Sequence, residues 1–180
     1  MARRWMFAVA ALVVLIGSIN FLRNPRESGP GDYWIPISGE ATLLRSPTNS
    51  SPSQDVTDAL RAYRQRDAAT AVEELRAFKV PVSDATVYTL RDLYLASALV
   101  NAAQPEEALA TLETLGIESL PQPWRGHARW TYYLALMRVG RTNEAFALLG
   151  SLAQETGEIG QRAREEVNRA GRSSRDRPGE

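Results

Sequence analysis

The 180-residue chain is 44% hydrophobic and 23% charged, with 21 basic side chains balanced by 21 acidic ones. That balance excludes a disordered polyelectrolyte and nucleic-acid binding by bulk charge. The chain has no cysteine, which removes disulfides, thiolate metal sites, iron–sulfur clusters and thiol catalysis, and its single histidine, His127, reads as an ordinary surface or capping residue.

The first element in chain order runs from Trp5 to Leu22, 18 residues without a charge, with Arg3 and Arg4 before it and Arg23 and Arg26 after it. A helix of that length rises about 27 Å, and snorkelling arginines with Trp5 at the interface extend it to the hydrocarbon thickness. The stretch Gly17-Ser18-Ile19-Asn20-Phe21 offers no A-x-A cleavage pattern, so it reads as an uncleaved anchor against the rival of a cleaved signal peptide. The amino terminus with Arg3 and Arg4 outweighs Arg23 and Arg26, so the N-terminus is expected inside. The chain is then a single-pass inner-membrane protein with its C-terminal domain periplasmic.

Next come two Pro, Gly, Ser and Asn-rich stretches, Asn24 to Gly31 and Arg45 to Gln54. Between them Tyr33, Trp34, Ile35, Ile37, Leu43 and Leu44 are too apolar for a free tether, while Pro36 and Gly39 prevent a helix. An extended strap packed on the following domain is the expectation; a contact with the membrane interface is its alternative.

From Asp55 onward the hydrophobic period becomes helical, with turn signals every 15 to 20 residues. The expected helices are 55–65, 68–78, 84–102, 105–115, 124–139, 142–155 and 158–170. Asp55, Ser83 or Asp84, and Thr142 are the expected N-caps, Pro105 suits a first turn, and Gly116 and Gly140 suit C-terminal stops. The chain therefore divides into a stub and anchor at 1–23, a linker at 24–53 containing the strap at 32–44, a helical domain at 54–170 and a disordered tail at 171–180.

The helical domain repeats. AYRQRDAATAVEELRAF from Ala62, LVNAAQPEEALATLETL from Leu99 and LMRVGRTNEAFALLGSL from Leu136 align without a gap, and Ala71, Ala108 and Ala145 recur at intervals of 37. Each unit has a helix end, a tight turn and an Ala-aliphatic-x-x-Leu pattern, with Gly140 at the turn replaced by Arg66 and Ala103 in the earlier units. This resembles the tetratricopeptide repeat, in the form of a small bacterial single-pass protein. The resemblance implies an all-α fold, a right-handed solenoid of about three helix pairs plus a capping helix. Ala96 and Ala108 take its small packing positions. The last helix, near Ala163 and Val167, closes the open end and turns Arg162, Arg164, Glu165 and Glu166 outward.

First helices of such pairs line a concave surface. Arg64, Asn101 and Arg138 hold equivalent places there beside Tyr63, Val100 and Met137, so the candidate partner-binding groove comprises Tyr63, Arg64, Ser97, Asn101, Trp130, Met137 and Arg138. A solvated helix end is the alternative for the arginines, and core packing is the alternative for Trp130. The positions a carboxylate clamp needs hold Ser53, Leu90 and His127, or Leu60, Ser97 and Leu134, which argues against binding of chaperone tails.

No nucleophile–base pair, P-loop or Gly-rich dinucleotide turn is present in the sequence. The expectation is a non-catalytic, membrane-anchored scaffold with a protein or peptide partner, no cofactor, no metal, no nucleic acid and no small-molecule substrate. Its alternatives are a structural or regulatory subunit of a membrane complex, and a secreted repeat protein with a cleaved signal.

Overall fold

A computed structural model describes residues 33–36, 54–79 and 85–175. The expected anchor, the strap beyond Pro36, both linkers ahead of Gln54, the caps Ser83 and Asp84, and residues 176–180 lie outside these. Among the described residues no helix is long and apolar enough to cross a membrane.

Every regular element of the described residues is helical. In chain order they are α1 (Gln54–Arg64), α2 (Ala68–Ala77), α3 (Ala85–Asn101), α4 (Pro105–Leu115), a 3₁₀ turn (Ile117–Ser119), α5 (Trp124–Arg138), α6 (Thr142–Leu152) and α7 (Glu158–Arg175). Each α-helix packs on the next in sequence, and α7 also reaches back to α5. α1 with α2, α3 with α4, and α5 with α6 form three hairpins on short turns.

Those turns repeat in detail. Arg66, Ala103 and Gly140, spaced 37 residues apart, all have positive φ, at 59°, 58° and 79°. At each, the residue's N–H bonds the carbonyl three positions back (Tyr63, Val100, Met137), and the next N–H bonds the carbonyl five positions back (Ala62, Leu99, Leu136). This is the Schellman arrangement, which satisfies carbonyls that a helix end leaves unpaired. Only Gly140 enters the left-handed region without steric cost; Arg66 and Ala103 carry the same geometry against it. After each turn, Ala71, Ala108 and Ala145 are completely buried, as small residues at helix crossings should be.

α3 lies at the centre of the described helices. Its residues from Leu93 to Val100 are buried all round, which only a helix with neighbours on every side can support. Asp92, also buried, is held by Arg91 at 2.6 Å. Burial pushes the Asp92 carboxyl up, and the Arg91 guanidinium opposes that shift.

Several local expectations change. α1 runs Gln54–Arg64, so Asp55 lies within its first turn instead of capping it. Arg141, not Thr142, is the N-cap of α6, since Thr142 already has helical geometry. Asp67 caps α2, accepting from the Thr70 N–H at 3.2 Å and the Thr70 hydroxyl at 2.8 Å. Pro105 does open α4, and Gly116 ends it with φ 69°. α7 extends to Arg175, so residues 171–175 of the expected tail are helical. Its docking rests on Ile159, Gly160 and Ala163; Val167 is 42% exposed and does not close the end.

Candidate partner-binding groove

The first helices of the three hairpins, α1, α3 and α5, present Tyr63, Ser97, Asn101, His127 and Trp130 toward one another, and the segment Tyr33–Pro36 sits among them. Tyr33 and Ile35 are 5% and 2% exposed; Trp34 between them is half-buried. Alternation of this kind is what an extended backbone produces, with residues i and i+2 on one face.

The segment is held mainly by its own peptide groups. The Ile35 N–H donates to the Tyr63 hydroxyl at 2.9 Å, the Tyr63 hydroxyl donates to Ser97 Oγ at 2.9 Å, and Ser97 Oγ donates to the Tyr33 carbonyl at 3.3 Å. One proton per hydroxyl suffices for this chain of bonds, because each oxygen donates once and accepts once. The Asn101 amide nitrogen adds a second donor to the Tyr33 carbonyl at 2.8 Å and also bonds the Ser97 carbonyl at 2.8 Å. Two carbonyl acceptors on one nitrogen fix which way the amide faces.

The Tyr33 side chain enters a second pocket. Its hydroxyl lies 2.7 Å from His127 Nδ1, its ring meets the Trp130 ring edge-on at 6.1 Å, and the Arg162 guanidinium lies 4.8 Å above it. Cation–π and edge-on ring contacts of this kind gain strength where water is excluded. Trp34 meets the Tyr63 ring edge-on at 4.8 Å.

These surroundings move the titratable groups in consistent directions. Burial raises the Tyr33 phenol, partly offset by Arg162, and raises Tyr63, partly offset by its bonds to Ser97 and Ile35. Burial lowers His127, with Glu158 opposing and Arg162 reinforcing the shift. All three groups are therefore kept neutral, as a buried hydrogen-bonded network requires.

Of the residues singled out from the sequence, Tyr63, Ser97, Asn101 and Trp130 converge on the segment. Arg64 is exposed, Arg138 donates to the Val100 carbonyl of α3, and Asn101 bonds the Tyr33 carbonyl. Met137 is half-buried and packs against the core. Trp130 is 3% exposed and both packs in the core and touches Tyr33.

Two residues depart from their expected places. His127 is buried and bonded to Tyr33, not a surface residue, and Arg162 turns inward over the Tyr33 and Trp130 rings instead of outward. Register on one helix could have found His127, since it lies one turn before Trp130; nothing local marks Arg162.

A separate open cleft of about 610 Å³ lies among α4, the 3₁₀ turn, α5 and α6, with Leu112, Ile117, Leu136 and Leu148 in its walls. Tyr132 spans it to Glu113 at 3.0 Å, and Arg129 is held by Glu155 and by Ser151 Oγ at 2.6 Å. Among the described residues no group of three or more His, Asp or Glu side chains is placed to hold a metal ion. No protein-family model, curated protein or solved structure matches the chain.

Proposed function

We propose that this chain is a non-catalytic interaction scaffold of tetratricopeptide type, anchored in the inner membrane by Trp5 to Leu22, whose periplasmic repeat domain binds a protein or peptide partner. In this reading α1 to α6 are three stacked repeats of a right-handed solenoid and α7 is the cap. The turn repeated at Arg66, Ala103 and Gly140 supports it, because identical hydrogen bonds at a constant spacing give each hairpin the same entry geometry.

The observation that carries the functional part is the seating of Tyr33–Pro36. A surface built from Tyr63, Ser97 and Asn101 bonds both a carbonyl and an N–H of an extended segment, which is the chemistry peptide recognition uses. Arg64 and Arg138 flank that surface in the repeat and supply guanidinium groups suited to carboxylates at its rim.

The test uses the full chain in cells, with a photo-crosslinking residue at Arg64 or Arg138 and, as controls, at Glu73 or Glu165 on other exposed faces. The expected outcome is one partner adduct from the first pair and none from the second, with copurification of that partner lost when Arg64→Glu and Arg138→Glu are combined. Adducts from Glu73 or Glu165 alone, or undiminished copurification with the double variant, overturn the groove as the binding surface. For the anchor, the full chain should resist carbonate and high-salt extraction from membranes; recovery in the soluble fraction overturns that part. A reporter fused after Glu180 that works only in the cytoplasm overturns the orientation.

A further inference from the structure

The seat under Tyr33–Pro36 is better equipped than its occupant. The indole N–H of Trp130, a residue 3% exposed, has no acceptor, and the Oδ1 atom of Asn101 and the Nε–H of Arg162 are buried without partners. All three residues touch Tyr33. A buried donor or acceptor left unpaired costs stability, so a set of unused polar atoms around one segment is unusual for contacts that serve only to hold a fold together.

The occupant's attachment is also short. Its hydrogen bonds run from the peptide groups of Tyr33 and Ile35 and from the Tyr33 hydroxyl. The three hairpins meanwhile pack on one another through contacts in which the segment takes no part. Tyr33 and Ile35 also belong to the buried core, so removing the segment costs stability while leaving the helix-to-helix packing in place. What then remains is a groove with a pocket for a ring between His127, Trp130 and Arg162, two main-chain docking points, and a pocket two residues further on.

We propose that Tyr33–Pro36 is a resident ligand of this groove, and that the partner it holds off is an extended peptide segment presenting an aromatic-x-aliphatic pair in the register of Tyr33 and Ile35. This rests on the reading of the groove as the binding surface. An incoming segment repeats the bonds to Asn101, Ser97 and Tyr63, and one that brings an acceptor to the Trp130 indole gains a bond the resident never makes. Partner affinity is then reduced by the fraction of molecules whose groove is filled.

The experiment uses the full chain in detergent and a fluorescein-labelled synthetic peptide with the sequence of residues 31–38, read by fluorescence anisotropy. A full-chain variant with Tyr33→Gly and Ile35→Gly, shown by circular dichroism to remain helical, should bind the peptide at least tenfold more tightly than the natural chain. A peptide with alanine in place of the tyrosine and first isoleucine should not bind. Equal affinity for the variant and the natural chain, or no binding to the folded variant, overturns the proposal. If the variant fails to fold, the natural chain decides: in the ¹⁵N-labelled chain, excess unlabelled peptide should speed hydrogen exchange at the Ile35 amide, and an unchanged rate overturns the proposal. Dimers of the natural chain that vanish in the variant would show exchange of segments between copies, which also overturns it. A partner crosslinked from Arg64 while the peptide fails to bind leaves the groove reading standing and removes only the resident-ligand inference.

Discussion

The Asn101 side chain donates to the carbonyl of Tyr33 at 2.8 Å, a contact between residues 68 apart in sequence. Asn101 is the last residue of α3, and its equivalents one repeat away are Arg64 and Arg138. Its short amide reaches that carbonyl while returning its other bond to its own helix, at the Ser97 carbonyl. The middle hairpin thus grips the Tyr33 carbonyl, while Tyr63 of the first hairpin takes the Ile35 N–H.

Asn101→Ala should loosen the segment while leaving the helices intact. One hydrogen bond of this kind contributes about 1 kcal/mol, which corresponds to roughly fivefold faster exchange at the Ile35 amide. Hydrogen exchange at Ile35, with amides in α3 as the internal standard, measures it. Unchanged exchange at Ile35 would mean that Ser97 and Tyr63 hold the segment without Asn101.

The repeated left-handed turns make opposite predictions at two equivalent positions. Ala103→Gly should raise stability by about 0.5–1 kcal/mol, because glycine enters the left-handed region without the steric cost, partly offset by its larger unfolded-state entropy. Gly140→Ala should lower it by a similar amount. A methyl group there meets nothing within 4 Å, so the loss comes from the backbone alone. Urea unfolding of the two variants checks the signs; the same sign for both would refute the equivalence of the turns.

Two close approaches set limits on side-chain size. Ala108 is fully buried where α4 crosses its neighbours, and Ala108→Leu should cost about 1–3 kcal/mol through overpacking. A methyl group on Gly160 would lie 1.9 Å from the Glu155 carbonyl oxygen, so Gly160→Ala must push α7 away from the turn before it. Thermal unfolding should show losses in both. In Gly160→Ala, exchange should also rise at the amides of Tyr33–Ile35, because α7 carries Arg162 over the Tyr33 ring.

Acidification should release the segment. His127 faces Tyr33 from the segment and Glu158 and Arg162 from α7, and its ring is held below its ordinary value chiefly by burial, with Glu158 opposing and Arg162 reinforcing. Because the docked state resists protonation, its advantage is complete above the ordinary histidine range and falls as pH drops through about 6.5. Exchange at the Ile35 amide, corrected for its intrinsic pH dependence, should therefore rise from pH 7.5 to pH 5 in the natural chain and stay flat in His127→Gln. A parallel rise in both proteins would assign the effect to other carboxylates.

Helix positions within one residue except at the ends of the last two helices, the three-hairpin pattern and the buried alanines at 71, 108 and 145 were legible in the amino-acid order, because amphipathic period and turn chemistry are local properties. The positive φ shared by Arg66 and Ala103 with Gly140 was foreshadowed only by alignment on the glycine, since neither residue favours that geometry. Tyr63, Ser97 and Asn101 could be placed on one surface because each occupies a known register of a first helix. That Tyr33 would reach His127, and that Arg162 would turn inward to cover it, was decided by the tertiary structure. These contacts join residues 94 apart and elements at opposite ends of the helical domain, and only the stacking of the hairpins sets the spacing between them. A periodic pattern specifies which face of a helix is buried; which partner buries it depends on the path of the whole chain.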